Sequence, residues 1–265
     1  MIEEEENMSN ALMLTGTINP AAYNNTNVVL TDAEERLKQY ERAIAYYIKE
    51  TKFEKIIFVE NSGSEFDHEK YEQMAEKLQK KFEYVPICTD KNATIKYGKS
   101  YGEADCIEQG VYKSRLLKDE ECFYKMTGRV ILKNANHLCK ENEMGTALLF
   151  RTDLGRCYTF FFRMNIEDFH KYFYKAKKLC NEAKGVDIER AYYRIAAESG
   201  KQISTFYQFP KLEGTIGTDG KSYGDSWIVY FGKNMLTKIG MYSQSGNSGI
   251  MNLSAKIKLF LFRKK

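Results

Sequence analysis

Several familiar signatures are missing from this 265-residue sequence. It has no run near the roughly 18 apolar residues that a membrane-spanning helix needs, and its acidic first residues differ from the basic start of a secretory signal. No Cys-x-x-Cys pair occurs, so zinc-ribbon and thioredoxin-like proteins are not supported. We therefore expect a cytoplasmic protein with reduced thiols at its six cysteines, which are Cys88, Cys106, Cys122, Cys139, Cys157 and Cys180.

Common enzyme motifs are equally scarce. Neither a P-loop nor a Gly-x-Gly-x-x-Gly turn is present, so the sequence gives no support for a P-loop ATPase or a Rossmann dehydrogenase. Gly-x-Ser-x-Gly and His-Glu-x-x-His are absent too, which leaves little support for hydrolase chemistry. The three histidines, His68, His137 and His170, fit packing or surface positions better than catalysis. A net charge of +4 is too small to indicate a nucleic-acid partner, and we predict none.

What the sequence does contain is an alternation of apolar strands and amphipathic helices, which predicts a parallel sheet. The expected strands lie at 11–15, 55–59, 123–132 with an interruption at Gly128, 146–151, 158–163, 203–209 and 226–231. The expected helices lie at 32–50, 104–117, 166–180 and 187–199, with one more that carries Tyr71, Met74, Leu78 and Phe82 on one face. The hydrophobic content of 43% suffices for one sizeable core, so we predict a single domain over 1–254.

A basic apolar tail at 255–265 follows this domain. It combines five basic residues with a run of Ile, Leu and Phe. Such a tail suits the headgroup region of an anionic membrane, which predicts peripheral attachment to the inner face of the cell membrane. The alternative is a last strand or helix that packs on the core and leaves its basic end in water.

Three loops are candidates for ligand binding: 15–19, 60–64 and 96–103. Ligands of open α/β sheets bind outside the carboxyl ends of the strands, and backbone amides in Gly-rich turns at helix starts cradle anions. Lys96, Lys99, Lys125 and Arg129 supply positive charge for a diphosphate. In the alternative interpretation, the glycines only turn the chain and the basic groups are solvated.

The order of these segments carries a family resemblance. The segments are Thr15 to Pro20, then Asp32 with Arg36 and Tyr40, then Phe58 to Ser62, then Gly98 to Glu103, then Lys125 to Arg129. Over about 12–135 this order resembles a family of bacterial glycosyltransferases found in capsule and O-antigen biosynthesis. The resemblance implies a GT-A-like α/β fold, with a mixed, mostly parallel sheet flanked by helices, a single Rossmann-like nucleotide-binding core and a C-terminal extension. It also implies a nucleotide-diphosphate-sugar donor.

The same resemblance implies a set of site residues. Those expected to bind the donor are Thr15, Thr17, Asn19, Arg36, Glu60, Asn61, Lys99, Gly102, Glu103, Lys125, Thr127 and Gly128. Lys125 to Arg129 stands where such enzymes usually carry an Asp-x-Asp metal motif, and no Asp-x-Asp occurs in this sequence. An arginine fork can neutralise a leaving diphosphate as a metal does. We therefore expect Arg129 to neutralise the leaving diphosphate in a metal-independent transfer. The use of a divalent metal remains an alternative.

The second half is expected to bind the acceptor and supply a base. Arg151, Arg156 and Arg163 are the candidate acceptor-binding residues. A sugar hydroxyl that attacks the anomeric carbon needs a carboxylate or imidazole to accept its proton. Glu189 is the first candidate base and Asp153 the second, although an acid at a helix start, such as Glu189, is also explained by the helix dipole.

The resulting prediction is a glycosyltransferase that moves a sugar from a nucleotide-diphosphate donor to a saccharide or lipid-linked acceptor. Two alternatives stay open at this stage. A sugar nucleotidyltransferase would also need a phosphate-cradling loop after its first strand, although its Gly-rich basic signature is missing. A non-enzymatic carbohydrate or nucleic-acid binding module would use the basic and aromatic surface.

Overall fold

A computed structural model of the chain describes residues 11–23, 31–139, 145–215, 223–246 and 249–250. The predicted tail at 255–265 and its boundary with the main domain lie outside the described residues. That division of the chain therefore stays a prediction.

Strands form where short apolar runs are bounded by turn residues. Their bounds are β1 (Ala11–Gly16), β2 (Lys55–Glu60), β3 (Lys81–Pro86), β4 (Cys122–Thr127), β5 (Ile131–Leu132), β6 (Ala147–Arg151), β7 (Arg156–Asn165) and β8 (Leu212–Glu213).

Helices connect most of these strands. Their bounds are α1 (Ala33–Glu50), α2 (Glu69–Glu76), α3 (Lys91–Tyr97), α4 (Lys99–Lys113), α5 (Ala135–Leu138), α6 (Ile166–Lys171), α7 (Ala176–Leu179), α8 (Ile188–Glu198) and α9 (Trp227–Lys238). Asp32 caps α1, because its carboxylate accepts hydrogen bonds from the amides of Glu34 and Glu35 at 2.8 and 3.1 Å. Such a cap satisfies amides that have no partner inside the helix.

Six strands form one sheet in the order β3-β2-β1-β4-β7-β6. All run in the same direction except β7, which is antiparallel to both of its neighbours. The predicted α/β fold class, with a mostly parallel sheet flanked by helices, is confirmed. The strand order reverses between β1 and β4, and open α/β sheets bind ligands at the carboxyl ends of the strands at such a point. A small ribbon of β5 and β8 lies apart from this sheet.

The sheet is buried on both faces, as expected for parallel strands between helices. Met13 of β1 belongs to the apolar cluster that includes Ile107 of α4 and Tyr192 of α8. Its neighbour Leu14 points to the other face and belongs to the cluster that includes Ile44 of α1. Helices on both faces therefore hold the ends of β1 and β4 in place.

Three predictions of secondary structure are wrong. Phe82 lies in β3 and Leu78 beyond the end of α2, because the second helix is shorter than its apolar spacing suggested. The segment 226–231 begins α9 rather than forming a strand. The segment 203–209 contributes only a single bridge, between Ser204 and Ala147.

Two further segments are broken where one element was expected. The strand predicted at 123–132 divides into β4 and β5, with a turn at Gly128. The helix predicted at 166–180 divides into α6 and α7, with a 3₁₀ turn between them. Helices were otherwise found where the 3.6-residue spacing was continuous.

Candidate active site

A cleft of about 490 Å³ opens at the carboxyl ends of β1 and β4. The predicted site residues that line it are Thr15, Thr17, Arg36, Asn61, Lys99, Gly102, Glu103, Thr127, Arg129, Arg156 and Glu189. The predicted site residues that do not line it are Asn19, Glu60, Lys125, Gly128, Arg151, Asp153 and Arg163. The cleft thus brings together residues from both halves of the chain, because β7 and α8 reach the same edge of the sheet as β1.

The loop after β1 is held open to the cleft by α1. The Thr17 amide donates to the hydroxyl of Tyr40 at 2.8 Å, and the guanidinium of Arg36 donates to the Thr17 carbonyl at 2.8 Å. The Thr17 hydroxyl donates to the side-chain oxygen of Asn61 at 2.7 Å. Since both backbone groups of Thr17 are bound by one helix, the loop has a fixed shape before any ligand arrives.

Glu60 was predicted to line the cleft, but its carboxylate is fully buried beneath it. It accepts hydrogen bonds from the amides of Ile18 and Ser62 at 2.9 Å each, and from that of Gly63 at 3.0 Å. Its oxygens therefore join the loop after β1 to the loop after β2. Asn19 also lies behind the lining, where its amide donates to the Ser62 hydroxyl at 2.9 Å.

Two arginines supply positive charge to the cleft. Arg36 and Arg129 line it and are only 6% and 8% exposed. The pKa of Arg36 is lowered, first by burial and also by the neighbouring Arg129 cation. Arg129 donates to the side-chain oxygen of Gln39 at 2.8 Å, and no carboxylate among the described residues forms an ion pair with it. Two nearby buried cations create a field that favours a bound anion.

Gly128 shapes the turn that carries Arg129, although it does not itself line the cleft. A β-carbon at this position would lie 2.8 Å from the carbonyl oxygen of Thr15 and 3.1 Å from the ring of Tyr40. The Gly128 amide donates to that same carbonyl at 2.9 Å. The missing side chain therefore lets the end of β4 pack directly on the end of β1.

Glu189, in the first turn of α8, is a carboxylate with a raised pKa. Burial raises the pKa to about 7, the cation of Arg156 opposes this effect, and the carboxylates of Asp187 and Glu103 add to it. Arg156 pairs with Glu189 at 3.1 Å and donates to Asp187 at 2.9 Å. Asp187 is further bound as the N-cap of α8, where it accepts from the Arg190 amide at 2.8 Å. Glu189 is therefore suited to take up a proton near neutral pH.

Buried Lys125 forms an ion pair with the partly exposed Glu103 beside the cleft. Lys125 has no exposed surface, and its ammonium group donates to the Glu103 carboxylate and to the Thr159 carbonyl at 2.8 Å. Glu103 lines the cleft, whereas Lys125 lies behind it. The lysine thus holds the carboxylate in place and compensates its charge. It does not face the cleft, although it was predicted to bind the donor.

The start of α4 does not form the anion cradle that its glycines suggested. The carboxylate of Glu182 accepts hydrogen bonds from the Ser100 amide at 2.9 Å and from the Ser100 hydroxyl at 2.6 Å. It lies against Gly98, where a β-carbon would come within 2.4 Å of it. An internal carboxylate therefore fills the position that a phosphate would take at this helix start. Lys99, one residue earlier, still lines the cleft.

The structure does not bring the second candidate base into the cleft. Asp153 is bound in a bidentate ion pair by Arg151, with distances of 2.8 and 2.7 Å. This hydrogen bonding holds the pKa of Asp153 below its usual range. A carboxylate with a lowered pKa is a weak base, and Arg151 is committed to it rather than to an acceptor.

Arg163 is likewise far from the site predicted for it. It is 2% exposed and donates to the Gly145 carbonyl at 2.7 Å. Its register partner in β4 is Tyr124, three residues before the cleft-lining Thr127. Because β7 runs antiparallel to β4, only its first residues reach the cleft, and of the three predicted acceptor arginines only Arg156 lines it.

The lining also includes polar and aromatic residues that were not predicted as site residues: Tyr23, Tyr40, Ser100, Thr159, Phe160, Asp187 and Tyr223. A signal for one of them was present, because Tyr40 lies one helical turn after Arg36 and so shares its face of α1. Tyr23 donates to the Asn61 carbonyl, and burial raises its pKa to about 12. No sequence pattern indicated Tyr223 or Thr159, which are brought to the cleft by tertiary contacts.

The described residues contain neither a cluster of metal ligands nor a membrane-spanning helix. No group of three or more His, Cys, Asp or Glu side chains within the described ranges is placed to hold a metal ion. No helix in the described part of the chain is long and apolar enough to cross a membrane.

This chain is similar to known proteins in structure rather than in sequence. No family model matches the sequence, and no curated protein matches it. Among solved structures, a nucleoside-diphosphate-sugar pyrophosphorylase from Vibrio cholerae RC9 aligns with 74% of this chain and 90% of its own, at 12% identity and a TM-score of 0.39. The fold class of this chain is defined by its own strand order and by the reversed direction of β7.

Proposed function

We propose that this chain is a glycosyltransferase that takes a sugar from a nucleotide-diphosphate donor and transfers it to a hydroxyl of a saccharide or lipid-linked acceptor. The supporting observation is the division of the cleft. Two buried cations line it from α1 and from the turn after β4, and a carboxylate of raised pKa lines it from the start of α8.

The cationic side suits the donor. In the proposed reaction the bond between the anomeric carbon and the diphosphate oxygen breaks, and the electron pair leaves with the diphosphate. Arg36 and Arg129 would stabilise that developing charge, and Lys99 would add to the field from α4. Preorganised charges of this kind act strongly in a partly dry cleft, since they need no reorganisation during the reaction.

The acidic side suits the acceptor. The acceptor oxygen would form the new bond to the anomeric carbon while its proton passes to the carboxylate of Glu189. Two other carboxylates line the cleft: Glu103, which is paired with Lys125, and Asp187, which is paired with Arg156 and Arg190. Glu189 shares Arg156 with Asp187, and we choose it as the base because burial raises its pKa to about 7. Glu189 therefore acts as a single base, and we propose direct displacement with inversion at the anomeric carbon.

The test of this proposal is a turnover assay of the purified chain with UDP-, GDP-, CMP- and ADP-sugars and saccharide acceptors, followed by analysis of the product's anomeric configuration. We expect an inverted product from one nucleotide class. Retention would contradict direct displacement. Formation of a nucleotide sugar and pyrophosphate from a nucleoside triphosphate and a sugar phosphate would instead assign a sugar nucleotidyltransferase.

Arg129→Ala tests the charge assignment within that assay. We expect kcat to fall by about 10²–10³, the usual effect of removing one group that stabilises transition-state charge. Arg194→Ala is the matched control, because this arginine is exposed on α8 and does not line the cleft. Unchanged turnover of Arg129→Ala with saturating donor would show that the cation has no part in catalysis.

A further inference from the structure

Helix α9 exposes its most apolar side chains to solvent. Trp227, Ile228 and Phe231 are 76%, 68% and 53% exposed, and Met235 and Ile239 follow at one-turn spacing. At 100° per residue these five side chains occupy one arc of the helix surface. Trp227 and Phe231 also stack on each other, with ring centroids 5.7 Å apart. We refer to these five side chains as the α9 face.

The side of α9 that faces the protein makes both apolar and polar contacts, and its Tyr230 and Leu236 pack against the apolar cluster that includes Leu14. The Asn234 side chain accepts from the Phe209 amide at 3.1 Å, and the Tyr230 hydroxyl donates to the Phe209 carbonyl at 3.3 Å. Thr237 is the buried residue of the helix. α9 is therefore apolar on both sides, with Tyr230 and Leu236 toward the core and a second set of aromatic and aliphatic side chains facing outward. A surface helix of this pattern marks a contact site rather than a piece of core.

One basic residue, Lys238, lies within the arc of the α9 face at 100° per residue. The other lysine of the helix, Lys233, lies on the opposite side and pairs with Asp225 at 2.6 Å. The helix itself contains no acidic residue. The sequence from 251 to 265 adds five basic residues and again no acidic one. Basic residues beside exposed Trp and Phe are the composition that binds the interface of a bilayer with anionic lipids.

We infer that the α9 face docks on a membrane surface that contains anionic phospholipid. Its aromatic and aliphatic side chains enter the headgroup boundary, while Lys238 lies among the phosphate groups. This inference depends on α9 and not on the reaction proposed above.

Docking would also place the cleft beside the membrane. Tyr223 lines the cleft and lies four residues before Trp227, and Asp225 between them pairs with Lys233 of the helix at 2.6 Å. The cleft and the α9 face are thus joined by a short described segment. If the proposed function holds, an acceptor carried on lipid would reach Glu189 from this side.

The experiment is flotation of the full chain with vesicles of phosphatidylcholine, with and without phosphatidylglycerol, at low and high salt. We expect salt-sensitive flotation with the anionic vesicles only. Trp227→Ser combined with Phe231→Ser should reduce the bound fraction by at least about tenfold, because both side chains enter the interface. Leu78→Ser with Leu154→Ser is the matched control, since these residues are exposed to 46% and 48% elsewhere, and its flotation should be unchanged.

Thermal unfolding of each variant shows whether it is folded, and flotation requires no turnover, so failure of the proposed reaction leaves this test intact. Equal flotation of the Trp227 and Phe231 variant and the wild type would overturn the inference. So would a wild-type dimer that this variant loses, since the α9 face would then bind a second copy. Stronger flotation of a chain ending at Ser254 would also overturn it, because the tail would then cover the α9 face.

Discussion

The pKa of the Glu189 carboxyl is set by burial and by charged neighbours that act in opposite directions. Burial raises it and Arg156 lowers it, while Asp187 and Glu103 raise it further, which leaves it at about 7. A base must be deprotonated to accept the acceptor's proton. The rate is therefore expected to rise about tenfold per pH unit below pH 7 and to level off above it.

Arg156→Gln is predicted to move that profile. The substitution removes the cation 3.1 Å from the carboxylate, so the charged form of Glu189 loses its partner and its pKa rises. The acidic limb of kcat/KM against pH should shift to higher pH, with activity lost at neutral pH and recovered in alkaline buffer. Arg194→Gln on the same helix should leave the limb in place. A limb that stays near pH 7 in the Arg156 variant would mean that another group controls the reaction.

The contrast between Glu189 and Asp153 shows what residue spacing can predict. Both are acidic residues near the end of a β-strand or the start of a helix. The neighbouring sequence does not distinguish a catalytic base from a surface carboxylate at such a position. The signal against Asp153 was nevertheless present, because Arg151 two residues earlier can reach both of its oxygens. The pKa of Glu189 is raised first by burial and further by Asp187 and Glu103, against the opposing cation of Arg156. Burial is a property of the fold, and Glu103 and Arg156 are distant from Glu189 in sequence, so only the structure reveals the raised pKa.

At the scale of elements, the loops after β1 and β2 depend on one buried carboxylate. Glu60→Gln removes its charge and turns a donor toward one of the amides of Ile18, Ser62 or Gly63. We expect the free energy of unfolding to fall by about 1.5–3 kcal/mol, the range for hydrogen bonds to a charged group. Urea denaturation measures this change. Glu72→Gln on the exposed side of α2 is the control, and equal stability of the two variants would contradict the role of Glu60.

The elements that could be predicted are those with a local and regular pattern. The apolar runs of β1 and β2 and the apolar spacing of α1 are of this kind. Because these elements could be predicted, the loops after β1 and β2 could also be predicted to lie at the cleft. α9 was misread as a strand because it is apolar on both its exposed and its anchored side, which removes the helical period. The resemblance implied that Lys125 binds the donor, and Arg163 was a candidate for the acceptor. Both lie in strands that are buried on both faces, where no alternation of polar and apolar residues indicates which side chains reach the cleft.

At the scale of the whole molecule, a nucleotide-sugar donor that contacts both the loop after β1 and the loop after β2 should stabilise the fold. A ligand at about 100 times its dissociation constant adds roughly 2.7 kcal/mol, which a thermal-shift measurement detects. We expect such a shift with one class of nucleotide-diphosphate sugar and a much smaller one in Arg129→Ala. The Arg194→Ala variant should shift like the wild type. Absence of any shift across the four nucleotide classes would argue against donor binding.

The reversed strand β7 also has a consequence for the order in which the protein is made. Arg129, at the end of β4, leaves the ribosome about 60 residues before Glu189. At about 5–20 residues per second, that gap is roughly 3–12 s. During this interval the emerging chain contains both buried arginines of the cleft but not Glu189. If the proposed reaction holds, the residues assigned to the donor are therefore synthesised before the proposed base, and the polypeptide becomes reactive only after β7 and α8 have joined the fold.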